Sequence, residues 1–357
     1  MTSHAAPRRI RVLIVDDSAI VRQLLTEILS ADPELDVVGT AVDPIIARDK
    51  IKLLSPDVLT LDVEMPRMNG VEFLEKLMRL RPMPVVMVST LTREGADVTL
   101  RALELGAVDF VAKPLKDLAV TLPALREEIL SKVKAAAKAH IRLTGPRRAP
   151  LPAMEPSRAT CSAELIAIGA STGGVETITE LLSTFPTTIP GVVIVQHMPE
   201  AFVPRFAARL RDALPFAVEE ARDGLAITPG RVLISPGNRH LLIGRAKGGG
   251  LEARLSSGPP VSGHRPSVDA LFGSVAETGA KAVGILLTGM GRDGAEGLLR
   301  MKEAGAVTIA QDEQTCTVFG MPRAAQELNA AKLILPLPKI AAAIFNEPGL
   351  PGLKSGD

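Results

Sequence analysis

The sequence predicts an α/β protein built from two doubly wound parallel sheets, one in each half of the chain. Two stretches carry this prediction, residues 10–114 and the chain from Ser162 onwards, because in both of them short apolar runs alternate with segments of helical period. Such alternation is typical of parallel sheets covered by helices on both faces. Between them, residues 139–160 hold four prolines and four arginines with few large apolar side chains, which predicts an exposed linker.

In the first half, five apolar runs are predicted to be strands and five amphipathic segments to be helices. The strands are, in order, IRVLIVDD, DVVGTAV, PDVLTLDVEMP, PVVMVST and AVDFVAKP. The helices between and after them are AIVRQLLTEILSA, IIARDKIKLL, GVEFLEKLMRL, DVTLRALELG and LPALREEILSKVKAAAKAH. The first helix is predicted to pack one apolar face on the sheet, made of Ile20, Leu24, Leu25 and Ile28. Because a helix connects each pair of strands, all five strands are expected to run parallel.

The second half repeats this alternation with one interruption. Its predicted strands are LIAIGAS, GVVIVQH, AVGILLTG and AVTIAQD, separated by amphipathic stretches such as ETITELLSTF and AEGLLRMKEAG. In the middle, GRVLISPGNRHLLIGR predicts a hairpin, because two apolar runs flank turn-forming residues. We therefore expect a second doubly wound sheet with an antiparallel hairpin insertion. The predicted organisation is a first domain at 9–127, a helix end and flexible linker at 128–161, and a second domain at 162–347.

Composition excludes several classes of function. The 357 residues carry 41 basic and 40 acidic side chains, a formal net charge of +1, and neither Trp nor Tyr, so we expect no nucleic-acid partner. Cys161 and Cys316 are the two cysteines and form no CxxC pair, which argues against a disulfide framework or a zinc cluster. The N-terminus lacks a signal-peptide core, and no apolar run approaches the roughly 18 residues of a membrane span. We expect a cytoplasmic protein with no direct membrane insertion.

Charged and hydroxyl side chains follow the strands predicted in the first half. Asp16 and Asp17 end the first strand, and Asp62 ends the third. Ser89 and Thr90 end the fourth strand, and Lys113 ends the fifth. Since the carboxyl ends of parallel strands meet at one edge of a sheet, these groups are expected to form one pocket. Such oxygen ligands suit Mg²⁺, and a carboxylate beside Mg²⁺ and a lysine can attack phosphorus. The alternative interpretation, a helix-capping or turn carboxylate, accounts for any single aspartate better than for the whole set.

The motifs LIVDDS, LDVEMPRMNG, VMVST and DFVAKP resemble the flavodoxin-like receiver domain of two-component response regulators. The resemblance implies that a partner histidine kinase phosphorylates Asp62, that Ser89 is the switch hydroxyl and that Lys113 pairs with the phosphate. It also implies a Mg²⁺ site, held by Asp17, Asp62, the main-chain carbonyl of Glu64 and, close by, Asp16. One departure is Asn69, where such turns often carry Asp or Pro; we expect the switch to remain intact.

In the second half, residues 165–174 read LIAIGASTGG, a buried run that ends in a serine, a threonine and glycines. Three interpretations are open, namely a phosphate-binding loop, a nucleophile elbow or an ordinary strand-to-helix turn. The stretch lacks the GK[ST] ending of a Walker loop and the GxGxxG spacing of a dinucleotide fold. GASTG does match the G-x-S-x-G elbow, although glycine and serine are common in any such turn.

A serine nucleophile needs a base and an orienting acid, which the same sheet is predicted to supply. His197 directly follows the strand GVVIVQ, and Asp293 lies just past AVGILLTG at the start of a helix. The ends of three strands would thus bring Ser171, His197 and Asp293 to one edge. The alternatives are that His197 is a core-edge histidine bonded to a carbonyl and that Asp293 is only a helix cap.

Further backbone donors and histidines lie in the loops of the second half. Met290 and Gly291 lie in a glycine-rich turn, and their backbone N–H groups are candidate oxyanion donors. His240 falls in the predicted hairpin and His264 in a loop rich in glycine and proline. Neither of these two histidines is assigned a chemical role.

The motifs IGASTGG, VVIVQHMP, ISPGNRHLLI, RPSVDALF, LLTGMGRDGA and AQDEQTCTVFGMP resemble the catalytic domain of chemotaxis protein-glutamate methylesterases of the CheB type, over roughly 163–345. The resemblance implies that Ser171 is the nucleophile, His197 the general base and acid, and Asp293 the orienting carboxylate. Met290 would be an oxyanion donor. The implied substrates are glutamate methyl esters on chemoreceptor helices, with methanol released and no cofactor needed for ester hydrolysis. Deamidation of receptor glutamines is implied as well.

A phosphorylatable first domain joined to a hydrolase predicts that phosphorylation regulates the hydrolase. Two other classes of protein are alternatives. A response regulator with a DNA-binding output is disfavoured by the neutral charge and by the α/β character of the second half. A nucleotide-dependent enzyme would use the GASTGG turn to hold phosphate at a helix N-terminus.

Overall fold

A computed structural model describes residues 8–66, 68–90, 92–113, 118–141 and 161–345. The chain divides into two compact units, Met1–Gly145 and Pro146–Asp357. Most of the predicted linker lies outside the described residues, and the domain limits given above stay predictions. Within the described ranges, no helix combines the length and apolar character needed to cross a bilayer.

The first unit contains a five-stranded parallel sheet and five helices, which confirms the predicted alternation. Its strands are β1 (Ile10–Val15), β2 (Leu35–Ala41), β3 (Val58–Asp62), β4 (Val85–Ser89) and β5 (Asp109–Ala112). Its helices are α1 (Ala19–Ser30), α2 (Pro44–Leu54), α3 (Gly70–Leu80), α4 (Arg93–Glu104) and α5 (Leu118–Ala137). The strand order is β2-β1-β3-β4-β5, so the winding direction reverses beside β1. Ligands of doubly wound sheets bind at the carboxyl ends next to such a reversal.

Short polar side chains begin four of these helices. In each case the side-chain oxygen accepts a hydrogen bond from the backbone N–H three residues later, and the capping residues are Ser18, Asp43, Asn69 and Thr92. This is the N-cap arrangement that satisfies an otherwise unpaired helix N–H group. Asn69, the departure from the receiver pattern noted above, therefore starts α3 through its bond from Glu72 N at 2.8 Å.

The face that α1 buries is rotated from the predicted one, because Leu25 and Ile28 are buried as expected but Leu24 is only half-buried and Ile20 is exposed. Its buried residues are Val21, Leu25, Ile28 and Leu29, whereas Ile20 is 78% exposed. The prediction that Ile20 packs on the sheet is wrong. Successive helical residues are rotated by about 100°, and a stripe that includes Val21 and Leu25 leaves Ile20 at its edge, in the first turn.

The second unit contains a seven-stranded parallel sheet and a separate three-stranded antiparallel sheet. The strands of the large sheet are β6 (Leu165–Ala170), β7 (Gly191–Gln196), β8 (Ala217–Glu220), β10 (Arg231–Ile234), β13 (Ala282–Leu286), β14 (Val307–Gln311) and β15 (Leu333–Leu335). The small sheet contains β9 (Ala226–Ile227), β11 (His240–Arg245) and β12 (Leu251–Ser256). The helices are α6 (Gly174–Ser183), α7 (Val203–Ala213), α8 (Val268–Glu277), α9 (Ala295–Glu303), α10 (Met321–Glu327) and α11 (Leu337–Phe345).

Strand β6 occupies the middle of the large sheet. The order β15-β14-β13-β6-β7-β10-β8 places β7 on one side of β6 and β13 on the other. After β6 the chain adds β7, β8 and β10 on one side of this strand, and then adds β13, β14 and β15 on the other side. Because this reversal is where open α/β sheets bind ligands, the residue that follows β6 is at the position expected for chemistry.

The predicted hairpin in GRVLISPGNRHLLIGR is only partly correct. An antiparallel insertion exists, but it pairs β11 with β12, whereas β10 joins the large parallel sheet between β7 and β8. Val232, Leu233 and Ile234 are fully buried, as expected of a strand covered on both faces. The SPGN segment thus connects two sheets, and the hairpin turn lies in the glycine-rich residues 246–250. Both segments contain turn-forming residues, and the local sequence does not tell which of them closes a hairpin.

Candidate functional site

The first candidate site lies at the carboxyl edge of the sheet in the first unit. Asp16 directly follows β1, Asp62 ends β3 and Lys113 directly follows β5. Lys113 Nζ lies 2.7 Å from Asp62 Oδ2 and 3.4 Å from Asp16 Oδ2. Both carboxylates are 0% exposed. The fold therefore brings these three predicted residues together in one buried cluster.

The acidic side chains of this cluster offer oxygen ligands for a cation. One oxygen from each of Asp16, Asp17 and Asp62 lies within 4.8 Å of the other two. Burial raises the pKa of Asp62 to about 6, the Asp16 charge adds to the rise, and the ion pair with Lys113 opposes it. Burial also raises the pKa of Asp16. Two buried carboxylates and the exposed carboxylate of Asp17, together with one ammonium group, fit a hard cation such as Mg²⁺, which would favour the ionised carboxylates. Glu64 N donates to Asp62 Oδ1 at 3.0 Å, and a ligand role for the Glu64 carbonyl stays a prediction.

The predicted switch hydroxyl is in contact with helix α4. Ser89 ends β4 and is buried, and its Oγ lies 2.7 Å from Thr99 Oγ1, within hydrogen-bond distance. Ser89 Oγ also lies 3.3 Å from the carbonyl of Thr90. Thr99 was not selected from the sequence, because it belongs to no motif and contacts Ser89 only when α4 is packed on the sheet.

The second candidate site begins with Ser171, in the turn between β6 and α6. Ser171 N donates to Thr288 O at 3.0 Å, and Ser171 O accepts from Gly174 N at 2.7 Å. A Cβ atom on Gly174 would lie 2.0 Å from Gln196 Oε1, so a larger residue does not fit there. The turn that carries the serine is therefore held by hydrogen bonds and by close packing.

His197 follows the neighbouring strand and contacts the predicted acid. Ala170 pairs with Gln196 across β6 and β7, and His197 N donates to Ala170 O at 3.1 Å. Because adjacent strands lie about 4.8 Å apart, Ser171 and His197 leave the sheet side by side. His197 Nε2 lies 2.8 Å from Asp293 Oδ2. The other ring nitrogen, Nδ1, is buried and has no hydrogen-bond partner among the described residues.

Asp293 is buried and surrounded by hydrogen-bond donors. Its carboxylate accepts from Val268 N at 2.7 Å, from Ser267 Oγ at 2.8 Å and from Asp269 N at 3.0 Å. Burial by itself would raise the pKa of Asp293, but the hydrogen bond and charge of His197 and the backbone donors lower it to about 2. Asp293 does bind a helix N-terminus, although that of α8 and not that of α9, which follows it in the chain. A helix N-terminus favours the ionised carboxylate.

The two histidines without an assigned role differ in the structure. The ring of His264 stacks on that of His197 with 4.0 Å between centroids and an interplanar angle of 15°. His240 is buried at the start of β11, with Nε2 3.0 Å from Pro259 O, and therefore has a structural role. His264 was missed because its loop carries no signal of this contact. The contact depends on α8, whose first residues follow His264 closely and bind Asp293.

The predicted oxyanion donor follows a residue that packs against the serine. A Cβ atom on Gly289 would lie 2.8 Å from Ser171 Cβ and 3.1 Å from Ser171 N, so the chain after β13 approaches the serine closely. Gly289 O accepts from Gly320 N at 3.0 Å and Met321 N at 2.9 Å, which fixes this loop. Met290 is the next residue along the chain. Its role, and that of Gly291, stay predictions.

Comparison with protein families matches both units. A family model described as CheB methylesterase matches residues 166–344, and one described as response regulator receiver domain matches residues 12–122. The first match includes all the residues of the second candidate site, and the second includes those of the first site. The two predicted resemblances are thereby confirmed.

Two relatives extend the similarity over nearly the whole chain. A protein of Syntrophotalea carbinolica named protein-glutamate methylesterase/protein-glutamine glutaminase is 52% identical over 346 residues, which cover 95% of this chain and 98% of the relative. A protein of Caulobacter vibrioides named protein-glutamate methylesterase/protein-glutamine glutaminase 1 is 54% identical over 343 residues, with coverage of 95% and 98%. The two units therefore occur together, in this order, in the relatives.

Proposed function

The chain belongs to the CheB family of protein-glutamate methylesterases with a receiver domain, and we propose that it hydrolyses glutamate methyl esters on chemoreceptors in response to phosphorylation. Methanol is the product, and deamidation of receptor glutamines is the second reaction. The observation that carries the proposal is the 2.8 Å contact between His197 Nε2 and the buried Asp293 carboxylate. His197 and Ser171 directly follow paired residues of two neighbouring strands, Gln196 and Ala170.

The first half of the reaction forms an acyl-enzyme. Ser171 Oγ attacks the ester carbonyl carbon while His197 Nδ1, the nitrogen not engaged by Asp293, takes the hydroxyl proton. Asp293 stabilises the imidazolium and fixes the ring orientation, consistent with its lowered pKa of about 2. The tetrahedral intermediate collapses when the imidazolium returns the proton to the methoxy oxygen, and methanol leaves.

The second half regenerates the enzyme. Water gives a proton to His197 and attacks the acyl carbon, the bond to Ser171 Oγ breaks, and the serine recovers its proton. One ester and one water thus become one carboxylic acid and one methanol. For a glutamine side chain the same steps release ammonia. The backbone N–H of Met290 is proposed to stabilise the oxyanion, a contribution that typically amounts to about 10²–10³-fold in rate.

In the receiver, Asp62 is the proposed acceptor of a phosphoryl group from a histidine kinase. The P–N bond of the phosphohistidine breaks as a P–O bond forms to the Asp62 carboxylate. Mg²⁺, when bound, neutralises charge on the transferring group, and Asp17, Asp62, the Glu64 carbonyl and, close by, Asp16 would hold it. Lys113, already 2.7 Å from Asp62 Oδ2, pairs with the phosphoryl oxygens, and Ser89 turns toward them.

Methanol release from receptor-containing membranes carrying labelled methyl esters tests the proposed activity. The protein is expected to release labelled methanol, at a rate that increases when acetyl phosphate and Mg²⁺ are added. Absence of release under both conditions would reject the proposal. Retention on DNA that decreases with salt would instead favour the regulator with a DNA-binding output.

Replacing Asp62 with asparagine is expected to remove the response to phosphodonor completely, because the amide is not a nucleophile toward phosphorus. Methanol release with and without acetyl phosphate, together with incorporation of labelled phosphate, measures the effect. Asp49→Asn is a matched control, since Asp49 is an exposed acid of the same unit, and its response is expected to equal that of the wild type. A phosphodonor response that persists in Asp62→Asn contradicts the assignment.

Replacing His264 with alanine is expected to lower kcat for methanol release about three- to tenfold, because stacked rings contribute about 0.5–1.5 kcal/mol and this stack fixes the His197 ring. His264→Phe retains an aromatic ring and is expected to keep more of the activity. The measurement is kcat at saturating receptor for the three proteins. Equal values in all three would show that the stack does not contribute to catalysis.

A further inference from the structure

Gln196 is a buried residue whose side chain joins the two strands that carry Ser171 and His197. It ends β7, is 4% exposed and directly precedes His197. Its Nε2 donates to Ser171 O at 2.9 Å and to His197 O at 3.1 Å. One amide group therefore uses both of its hydrogens on the backbone of the proposed nucleophile and of the proposed base.

The orientation of this amide follows from its surroundings. Gln196 Oε1 is packed against Gly174 so closely that a Cβ there would lie 2.0 Å away. The same oxygen is buried and lacks a hydrogen-bond partner within the described part of the chain. Leaving a buried amide oxygen unpaired costs free energy. The side chain therefore makes its two donated hydrogen bonds and leaves its Oε1 acceptor unpaired.

The two carbonyls belong to the residues that directly follow the last β6–β7 strand pair. The strand pairing of β6 with β7 ends at Ala170 and Gln196, and the chain then turns away in both cases. From the other side, Thr288 Oγ1 donates to Thr172 O at 3.0 Å, which supports the serine turn but does not reach His197. Gln196 thus extends the connection between the two strands by one residue beyond the last ladder pair.

We propose that Gln196 is a positioning residue that sets the separation and relative orientation of Ser171 and His197. This inference rests on the proposed function, in which a proton passes between these two side chains. An effective transfer requires the two groups to be held within hydrogen-bond reach. An amide suits the role because it supplies two hydrogens to two carbonyl acceptors, whereas a carboxylate supplies none when ionised.

The test compares the full-length wild type with Gln196→Met, a residue of similar length without a donor. We expect kcat for methanol release to fall about tenfold per folded molecule while KM changes less than twofold. The folded fraction is measured by circular dichroism at the assay temperature.

Thr308→Val is the matched control for loss of a buried hydrogen bond. Thr308 lies on β14 of the same sheet, is fully buried and donates to Ala330 O at 2.8 Å, remote from the Ser171 turn along the chain. This variant is expected to lose thermal stability while its kcat and KM per folded molecule stay those of the wild type. If Gln196→Met does not fold, Gln196→Glu, which keeps the shape, is expected to show at least the same loss of kcat.

Two outcomes overturn the inference without affecting the proposed function. One is a folded Gln196 variant with wild-type kcat and KM. The other is a loss of activity fully accounted for by the unfolded fraction, as in Thr308→Val. Failure of the proposed function has a different signature, namely that the wild type releases no methanol or that Ser171→Ala releases as much as the wild type.

Discussion

Replacing Ser171 with alanine is expected to lower kcat for methanol release by at least about 10⁴-fold, since loss of a serine nucleophile removes the covalent route entirely. The substitution deletes one oxygen from a half-buried turn whose backbone bonds to Thr288 and Gly174 do not involve the side chain. The fold is therefore expected to persist. Labelled methanol released from methylated receptor membranes measures the rate, and circular dichroism measures the folded fraction.

Ser183→Ala provides the matched control for this substitution. Ser183 ends α6, the helix that Ser171 precedes, and its hydroxyl donates to a carbonyl one turn back, Glu180 O, at 2.7 Å. This variant is expected to release methanol at the wild-type rate. If Ser171→Ala did the same, the nucleophile assignment would be wrong. The phosphate-loop interpretation predicts in addition that Ser171→Ala leaves phosphate binding largely intact.

The second large effect is expected for Asp293→Asn, which should lower kcat about 10⁴-fold, as found for catalytic triads that lose their carboxylate. The Asp293 oxygens accept from Val268 N, Asp269 N and Ser267 Oγ as well as contacting His197. An amide has one oxygen and turns its NH₂ group toward donors at the other position. Either the His197 ring or the backbone N–H groups at the N-terminus of α8 then face an NH₂ group in place of an acceptor oxygen.

Asp293→Asn also predicts how stability depends on pH. The pKa of Asp293 is about 2 in the folded protein, against 3.8 ordinarily. A lowered folded pKa stabilises the native state above the unfolded value and ceases to do so as the pH falls through the folded value. Ionisation of Asp293 therefore contributes about 2 kcal/mol above pH 4. The difference in free energy of unfolding between wild type and Asp293→Asn should shrink by this amount between pH 5 and pH 2.

Urea unfolding at several pH values measures this difference. Asp223→Asn is a suitable control, because Asp223 is exposed and its Oδ1 also accepts a backbone bond, from Leu255 N at 2.8 Å. Activity of this variant is expected to match the wild type. A stability difference between wild type and Asp293→Asn that does not depend on pH would show that Asp293 titrates normally in the folded protein.

The alternation of apolar runs and amphipathic segments was sufficient to predict both parallel sheets. Local patterns gave a wrong prediction where the same stretch of sequence fitted two arrangements equally well. GRVLISPGNRHLLIGR contains two strands, and the pattern predicted their existence but paired them wrongly, since β10 belongs to one sheet and β11 to another. Ile20 was placed in the core because the apolar spacing of α1 tolerates a shift of one residue, which only contact with the sheet decides.

The sites were predictable to the extent that strand ends specify them. Asp16, Asp62 and Lys113 follow strands of one parallel sheet, so their contact follows from topology. Thr99, Gln196 and His264 were not recognised, because each reaches its candidate site through a contact with an element distant in the sequence. Their positions follow from how α4, the serine turn and the loop before α8 pack, which a single sequence does not encode in any local signal.

A chain still emerging from the ribosome is unable to complete the proposed hydrolytic centre. β6 is synthesised long before its neighbour β13, and His197 and Asp293 are 96 residues apart. Until Asp293 leaves the exit tunnel, the serine and the imidazole exist without their buried anion and without one flank of the central strand. A partial chain that ends before Asp293 therefore lacks both the proposed orienting acid and the strand that pairs with one edge of β6.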